Sequence, residues 1–213
     1  SKTHPRMKQF IGANRNELEL IDPTAIFSSI SNAIEFLMDK VSNGGVILLA
    51  GTTSPAKGAV EQFAKRFSFP FVTNRWLGGT LTNFKMISSQ MKRYEEMKAR
   101  SAEELSKYTK KERLELSKEI SSMSRSFDGL MPLRKLPDAL FVVDIESHDT
   151  AVREAHKLHI PIVAILDTND DPKNVDYPIF ANDHGRESIE WVFGKICEEI
   201  KNLPAKQDVV SIQ

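Results

Sequence analysis

Apolar and polar positions along the chain follow two alternating periods. Asp22-Pro23 opens the first helical stretch, with aspartate at the cap and proline in the first turn, where its missing N–H costs nothing. Ile26, Ile30, Ala33, Ile34, Leu37 and Val41 recur at the spacing of one helix face, and Ser42-Asn43-Gly44-Gly45 ends the stretch. Residues 46–50, VILLA, are wholly apolar and lead into Gly51 and a Thr-Thr-Ser cluster. Such a run predicts a buried parallel strand feeding a helix from about Pro55 to about Phe67. SFPFVTN at 68–74 predicts a second short strand.

Residues 81–129 differ in kind. Phe84, Ile87, Met91, Tyr94 and Met97 repeat at three or four, as do Leu116, Ile120, Met123 and Phe127, in otherwise polar surroundings. SAEELSKYT at 101–109 can turn the chain between them. The pattern predicts two antiparallel helices forming a hairpin that projects from the body.

The strand–helix rhythm then returns. Strands are predicted in PDALFVVDIES (137–147), IPIVAILDTND (160–170) and Asp176 to Phe180, the last at an edge. Helices are predicted at 150–159 and 185–203, and the tail beyond is loose. Alternation of this kind is most simply met by an α/β fold, a mostly parallel sheet with helices on both faces. Residues 1–80 and 130–213 are read as a single α/β domain with a basic N-terminal arm, and 81–129 as an inserted hairpin.

With 213 residues and 40% hydrophobic positions, the chain can bury a core of ordinary domain size. Twenty-nine Lys and Arg balance 29 Asp and Glu, so there is no global pull toward nucleic acid or membrane, and local charge must supply any such attraction. One cysteine, Cys197, excludes an internal disulfide framework and a thiolate zinc cluster. It sits in an apolar helix and reads as packing. No apolar run reaches the roughly 20 residues of a membrane span, and the first residues are not those of an apolar signal segment.

Three groups could carry chemistry. AGTTSPAKGAV joins a strand to a helix N-terminus, which can cradle phosphate, but it matches neither dinucleotide nor P-loop spacing, and a plain structural turn is the simpler reading. Asp144, Asp167, Asp170, Asp171 and Asp176 gather at the carboxyl ends of strands, where α/β folds hold ligands and a hard cation could bind. Aspartates also shape turns and caps, and DTNDDP at 167–172 has that look. The five histidines show no metal-ligand spacing, although His148 beside Asp149 could form an acid–base pair. No catalytic, metal or cofactor assignment follows. Last, NRWLGGTLTN at 74–83 could act as a lid, as a nucleic-acid contact with Arg75 on phosphate and Trp76 as wedge, or as a structural loop in which Trp76 anchors while Gly78 and Gly79 allow close approach.

Basic residues are locally grouped: Lys2, His4, Arg6, Lys8 and Arg15 in the arm, then nine Lys/Arg against six Glu between 92 and 118. The excess is modest, and a charged helical pair is commonly just solvated.

THPRMKQFI (3–11), GGVILLAGT (44–52), NRWLGGTLTNFK (74–85), YTKKERLELSKEI (108–120), KLPDALFVVD (135–144), IPIVAILDTNDDP (160–172) and VDYPIFAND (175–183) occur in that order. Through them the chain resembles the bacterial-type small-subunit ribosomal protein S2 family along nearly its full length. The resemblance implies a flavodoxin-like or Rossmann-like α/β body with a protruding antiparallel coiled-coil hairpin. It also implies a non-enzymatic structural part of the small ribosomal subunit, in the cytoplasm of a bacterium or in an organelle. The implied partners are small-subunit rRNA and neighbouring ribosomal proteins including S1, with no membrane and no homo-oligomer. Where the family has a basic residue directly after GT, this chain has Thr53, with Lys57 nearby, and His184 stands where a second aspartate is usual. The rRNA-binding set expected on this basis is Lys2, His4, Arg6, Lys8, Arg15, Lys57, Arg75, Asn83, Lys85, Lys92 and Arg93, contacting phosphates rather than reading bases. Two readings stand beside it. An α/β enzyme acting on a phosphorylated or nucleotide substrate would need a concave site joining Thr52, Thr53, Asp144 and Asp167. A coiled-coil protein scaffold would need an exposed apolar stripe on the hairpin.

Overall fold

The computed structural model describes residues 3–15, 18–100 and 108–201. Lys2, the side chain of Arg15, most of the expected turn at 101–109 and the tail lie outside the described residues.

Five strands form one all-parallel sheet: β3 (Ile47–Ala50), β4 (Phe71–Val72), β5 (Ala139–Val143), β6 (Ile162–Leu166) and β7 (Tyr177–Phe180). Their spatial order is β4-β3-β5-β6-β7, with β7 at an edge. This is the doubly wound arrangement in which the strand order reverses between β3 and β5. Every residue of β3, β5 and β6 is buried, as continuous apolar runs require when helices cover both faces. β4 is shorter than SFPFVTN suggested, pairing only Leu49 with Phe71 and Ala50 with Val72.

Alternation along the strands divides the core. Ile47, Leu49, Phe141, Val143, Val163 and Ile165 pack with helices α1 (Pro23–Ser42), α2 (Ser54–Phe67) and, near the C-terminus, Arg186–Lys201. Leu48, Ala50, Leu140, Val142, Ile162 and Ala164 belong to the opposite cluster. That cluster includes Ile87, Met91 and Tyr94 of α3 (Phe84–Lys98), Phe127 at the end of α4 (Lys110–Phe127), and Ala151, Val152 and Ala155 of α5 (Asp149–Lys157). The C-terminal helix is α6.

Local signals account for the ends. Asp22 caps α1 by accepting from Thr24 N at 2.8 Å, and Pro23 fills the first turn. Thr109 and Glu112 form a reciprocal capping box on α4. α3 and α4 touch where Arg93 meets Glu119 at 2.6 Å and where Tyr94 and Lys98 meet Asp128, just beyond α4. These contacts gather at the last turns of α3 and the second half of α4, while Lys110 to Glu115 are exposed on every side.

The arm is ordered, and it carries secondary structure that the sequence did not predict. Residues Pro5–Phe10 make a 3-10 turn, and β1 (Ile11–Arg15) and β2 (Leu18–Ile21) form a separate antiparallel pair. Met7 is buried in the core, and His4 N donates to Thr168 O at 2.9 Å, so the arm is fastened beside the end of β6. No helix among the described residues is long and apolar enough to cross a membrane.

Candidate nucleic-acid interface

β4 delivers the chain into Asn74-Arg75-Trp76-Leu77-Gly78-Gly79-Thr80-Leu81-Thr82, and one side chain far away in sequence organises this loop. Glu154, buried on α5, receives Trp76 Nε1 at 3.1 Å and Gly79 N at 2.8 Å on Oε1. Its Oε2 accepts Leu81 N at 2.9 Å, and Thr82 N and Thr82 Oγ1 at 3.0 Å each. Burial pushes the Glu154 carboxyl up. The donors from Thr82, Gly79, Trp76 and Leu81 together outweigh burial, so its pKa lies below the ordinary glutamate value. Gly79 adopts φ +89°, a conformation that favours glycine. Gly78 has neither a positive φ nor a neighbour that an added Cβ would meet.

The loop is therefore rigid, with Asn74, Arg75 and Thr82 exposed and Thr80 buried. Trp76 is buried, which favours the anchor reading over the wedge, while Arg75, Asn83 and Lys85 are exposed. Asn74 Nδ2 donates to Arg125 O at 2.9 Å, tying the loop to the end of α4.

The expected cations fall into two kinds. Arg6 holds Asp171 at 2.6 Å with His4 at 3.9 Å from the same carboxylate, Arg93 holds Glu119 at 2.6 Å, and Lys92 lies 3.9 Å from Glu96. These charges are committed to the protein's own carboxylates. Lys8, Lys57, Arg75 and Lys85 make no ion pair among the described residues. Lys57 lines a groove of about 610 Å³ with Thr73, Asn74, Ser124, Arg125 and Ser126, between α2 and the foot of α4. Glu61, Lys65 and Asp128 stand on its walls. Asn74 and Arg125 were not singled out from sequence, because nothing local marks them as neighbours of Lys57.

The carboxyl ends of the strands are internally bonded. Asp144, at φ +66°, accepts from Ser147 N at 3.0 Å and Ser147 Oγ at 2.6 Å. His148 bridges the point where the sheet reverses: Thr52 N donates to its Nε2 at 3.2 Å, so Nδ1–H donates to Asp144 O at 2.7 Å. Burial holds the His148 imidazole below its ordinary pKa, consistent with this neutral form. Asp167 accepts from Thr168 N, Asp170 from Asp167 N, Asp171 from Lys173 N and Asp176 from Ile162 N, all at 2.7–3.0 Å. These are turn and cap roles.

Three oxygens are left over. Thr53 Oγ1, Asp170 Oδ1 and Asp183 Oδ1 are buried without a hydrogen-bond partner, and Asp183 Oδ1 lies 3.7 Å from His184 Nε2. Burial, with neighbouring carboxylates adding, raises Asp170 to about 6 and Asp183 to about 7. Among the described residues no group of three His, Cys, Asp or Glu is placed to hold a metal ion.

Comparison with known proteins agrees with the resemblance. The family model described as ribosomal protein S2 matches residues 1–202. The chain is 43% identical over 189 residues to the small ribosomal subunit protein uS2 of Salinispora arenicola, covering 88% of this chain and 68% of that one. It is 42% identical over 182 residues to that of Corynebacterium efficiens, covering 84% and 66%. It is 40% identical over 207 residues to that of Micrococcus luteus, covering 96% and 73%. The chain thus spans about two thirds of the length of the first two relatives. Matched by one family model almost from end to end, and carrying that likeness on an all-parallel doubly wound sheet, the chain belongs to the ribosomal protein S2 family.

Proposed function

We infer that this protein is a structural constituent of the small subunit of a bacterial cytoplasmic ribosome. It binds small-subunit rRNA and neighbouring ribosomal proteins, S1 among them, and performs no catalysis. The observation that carries this reading is the family match over residues 1–202, joined to a cation-bearing groove beside a loop held rigid by Glu154. Rigid placement suits a protein that positions phosphates instead of reading bases. Lys57, Arg75 and Lys85 lead the contacts, with Lys8 and Asn83 at the margins. Arg6, Lys92 and Arg93 contribute through residual charge, since each is already near a carboxylate.

The division into an α/β body and an inserted, projecting antiparallel coiled-coil hairpin belongs to the same proposal. Exposure of all residues from Lys110 to Glu115 supports projection. Against the enzyme reading, Thr52 N, Asp144 and Asp167 Oδ1 take internal bonds and the Thr53 hydroxyl is buried.

Co-sedimentation of the full chain with small-subunit particles, followed by crosslinking to rRNA, tests the proposal. Association that weakens steeply with salt is expected, because phosphate binding releases counterions. A chain that stays out of the particles and leaves rRNA uncrosslinked overturns it.

A further inference from the structure

Helix α4 sorts its charges. Ile120, Met123 and Phe127 pack against the core, and Leu116 is half-buried on the same side. Two of its glutamates are used within the protein, Glu112 in the cap with Thr109 and Glu119 with Arg93. Opposite the apolar row stand Lys118 and Arg125 with Ser117, Ser121 and Ser122, which together line a shallow depression of about 330 Å³. Arg125 also lines the groove of about 610 Å³ beside Lys57, so the two surfaces are continuous.

A face built only for solvation reads differently in this same protein. Other helices pair cation with carboxylate four residues apart: Glu61 with Lys65, Lys92 with Glu96, Arg186 with Glu190. On α4 Ser122 follows Lys118 and Ser121 precedes Arg125 at that spacing, while exposed Leu114 precedes Lys118, and Lys111 and Glu115, also four apart, form no ion pair among the described residues. Exposed Glu115 on the flank makes no ion pair with its neighbours among the described residues. Long cations therefore stand about 10 Å apart along the axis with short hydroxyls between them. That relief fits the wide, shallow minor groove of an RNA double helix, where 2′-hydroxyls lie on the floor and phosphates on the rims.

We propose that this face of α4 docks into the minor groove of double-helical RNA. Lys118 and Arg125 meet phosphates on its rims, Ser117, Ser121 and Ser122 meet 2′-hydroxyls, and the contact continues at the foot of the helix into the groove beside Lys57. The inference rests on the rRNA-binding reading and names the form of RNA and the surface that takes it.

Full-length protein is compared with two variants, Lys118→Gln/Arg125→Gln and Ser117→Ala/Ser121→Ala/Ser122→Ala. Binding is measured across a salt series to small-subunit rRNA and to duplexes of about 16 base pairs in RNA and in DNA of one sequence. All five residues are solvent-accessible, and circular dichroism confirms that the variants fold. The cation variant is expected to lower the salt slope by about 2, one per phosphate contact, and to bind rRNA at least tenfold more weakly. The serine variant is expected to lose preference for RNA over DNA while keeping its salt slope, which a purely electrostatic role would not produce. Wild-type binding to rRNA with both variants unchanged overturns this proposal and leaves the rRNA-binding reading standing. Failure of the wild type to bind rRNA overturns both. Unchanged rRNA binding with loss of an acidic ribosomal protein from reconstituted particles also overturns it, assigning the face to that neighbour.

Discussion

Trp76 Nε1 donates to Glu154 Oε1 at 3.1 Å across 78 residues of sequence, and the same carboxylate receives three backbone N–H groups from the loop that Trp76 begins. One buried charge thereby sets the path of the whole segment between β4 and α3. Its removal leaves those donors unmet inside the protein.

Glu154→Ala is expected to destabilise the fold by about 3–5 kcal/mol, the cost of breaking a buried charged cluster from one side. Glu154→Gln, which keeps the shape but turns an NH₂ toward N–H groups, should cost about 1–3 kcal/mol. Urea denaturation followed by Trp76 fluorescence in a Trp191→Phe background measures both. Because the folded pKa is lowered, the contribution of Glu154 is complete above the unfolded value near 4.5 and is lost as pH falls through the folded one. A Glu154→Ala midpoint equal to wild type at pH 7 would show that the loop has another support.

The two loop glycines should behave differently. Gly79→Ala forces a side chain into φ +89° against Asn83 and is expected to cost about 1 kcal/mol or more. Gly78→Ala meets open space without a positive φ and should be neutral or stabilise by up to about 1 kcal/mol. Thermal midpoints of the two single variants decide the matter, and equal losses would contradict it.

Asp183 opposes folding at neutral pH. Its folded pKa of about 7 lies above an unfolded value near 3.8, so the folded state binds the proton more tightly. The favourable contribution is complete below pH 4 and is lost as pH rises toward 7. Asp183→Asn is expected to raise stability by about 1–3 kcal/mol at pH 8, from relief of a buried charge that accepts no hydrogen bond at Oδ1, and to have little effect at pH 4. Equal effects at both pH values would place the origin outside titration. His148 works in the other direction, since its lowered pKa removes stability as pH falls below 6.5, so the comparison is made between variant and wild type at each pH.

Arg75 and Lys85 flank the rigid loop and make no internal ion pair among the described residues. Arg75→Gln/Lys85→Gln should leave the urea midpoint within about 0.5 kcal/mol of wild type, as exposed substitutions do. It should reduce the salt slope of rRNA binding by about 2. A lowered midpoint with an unchanged slope would assign these residues to the fold.

Sequence periodicity located every strand of the five-stranded sheet and each helix of the body within a few residues. Fully buried strands show as uninterrupted apolar runs, and Asp22-Pro23 carries its cap and first turn side by side. The paired β1 and β2 were not legible, because IGANR and LELI offer neither a clean alternation nor a recognised turn between them. Asp171, and with it the commitment of Arg6, lies 165 residues away.

What the chain determined by itself was its layered α/β body and its family, since both reside in local order: apolar period, caps and motifs read in succession. What only the tertiary structure decided was which charges remain for a partner. Glu154 sits on a short helix beside Arg153 and looks solvated in sequence, yet it is buried under a loop reached by a distant strand. Arg6 and Arg93 look available and are paired, whereas Lys57 and Arg125 come together across a groove. Electrostatic commitment depends on distances of a few ångströms between segments far apart along the chain, and the folded sheet sets those distances.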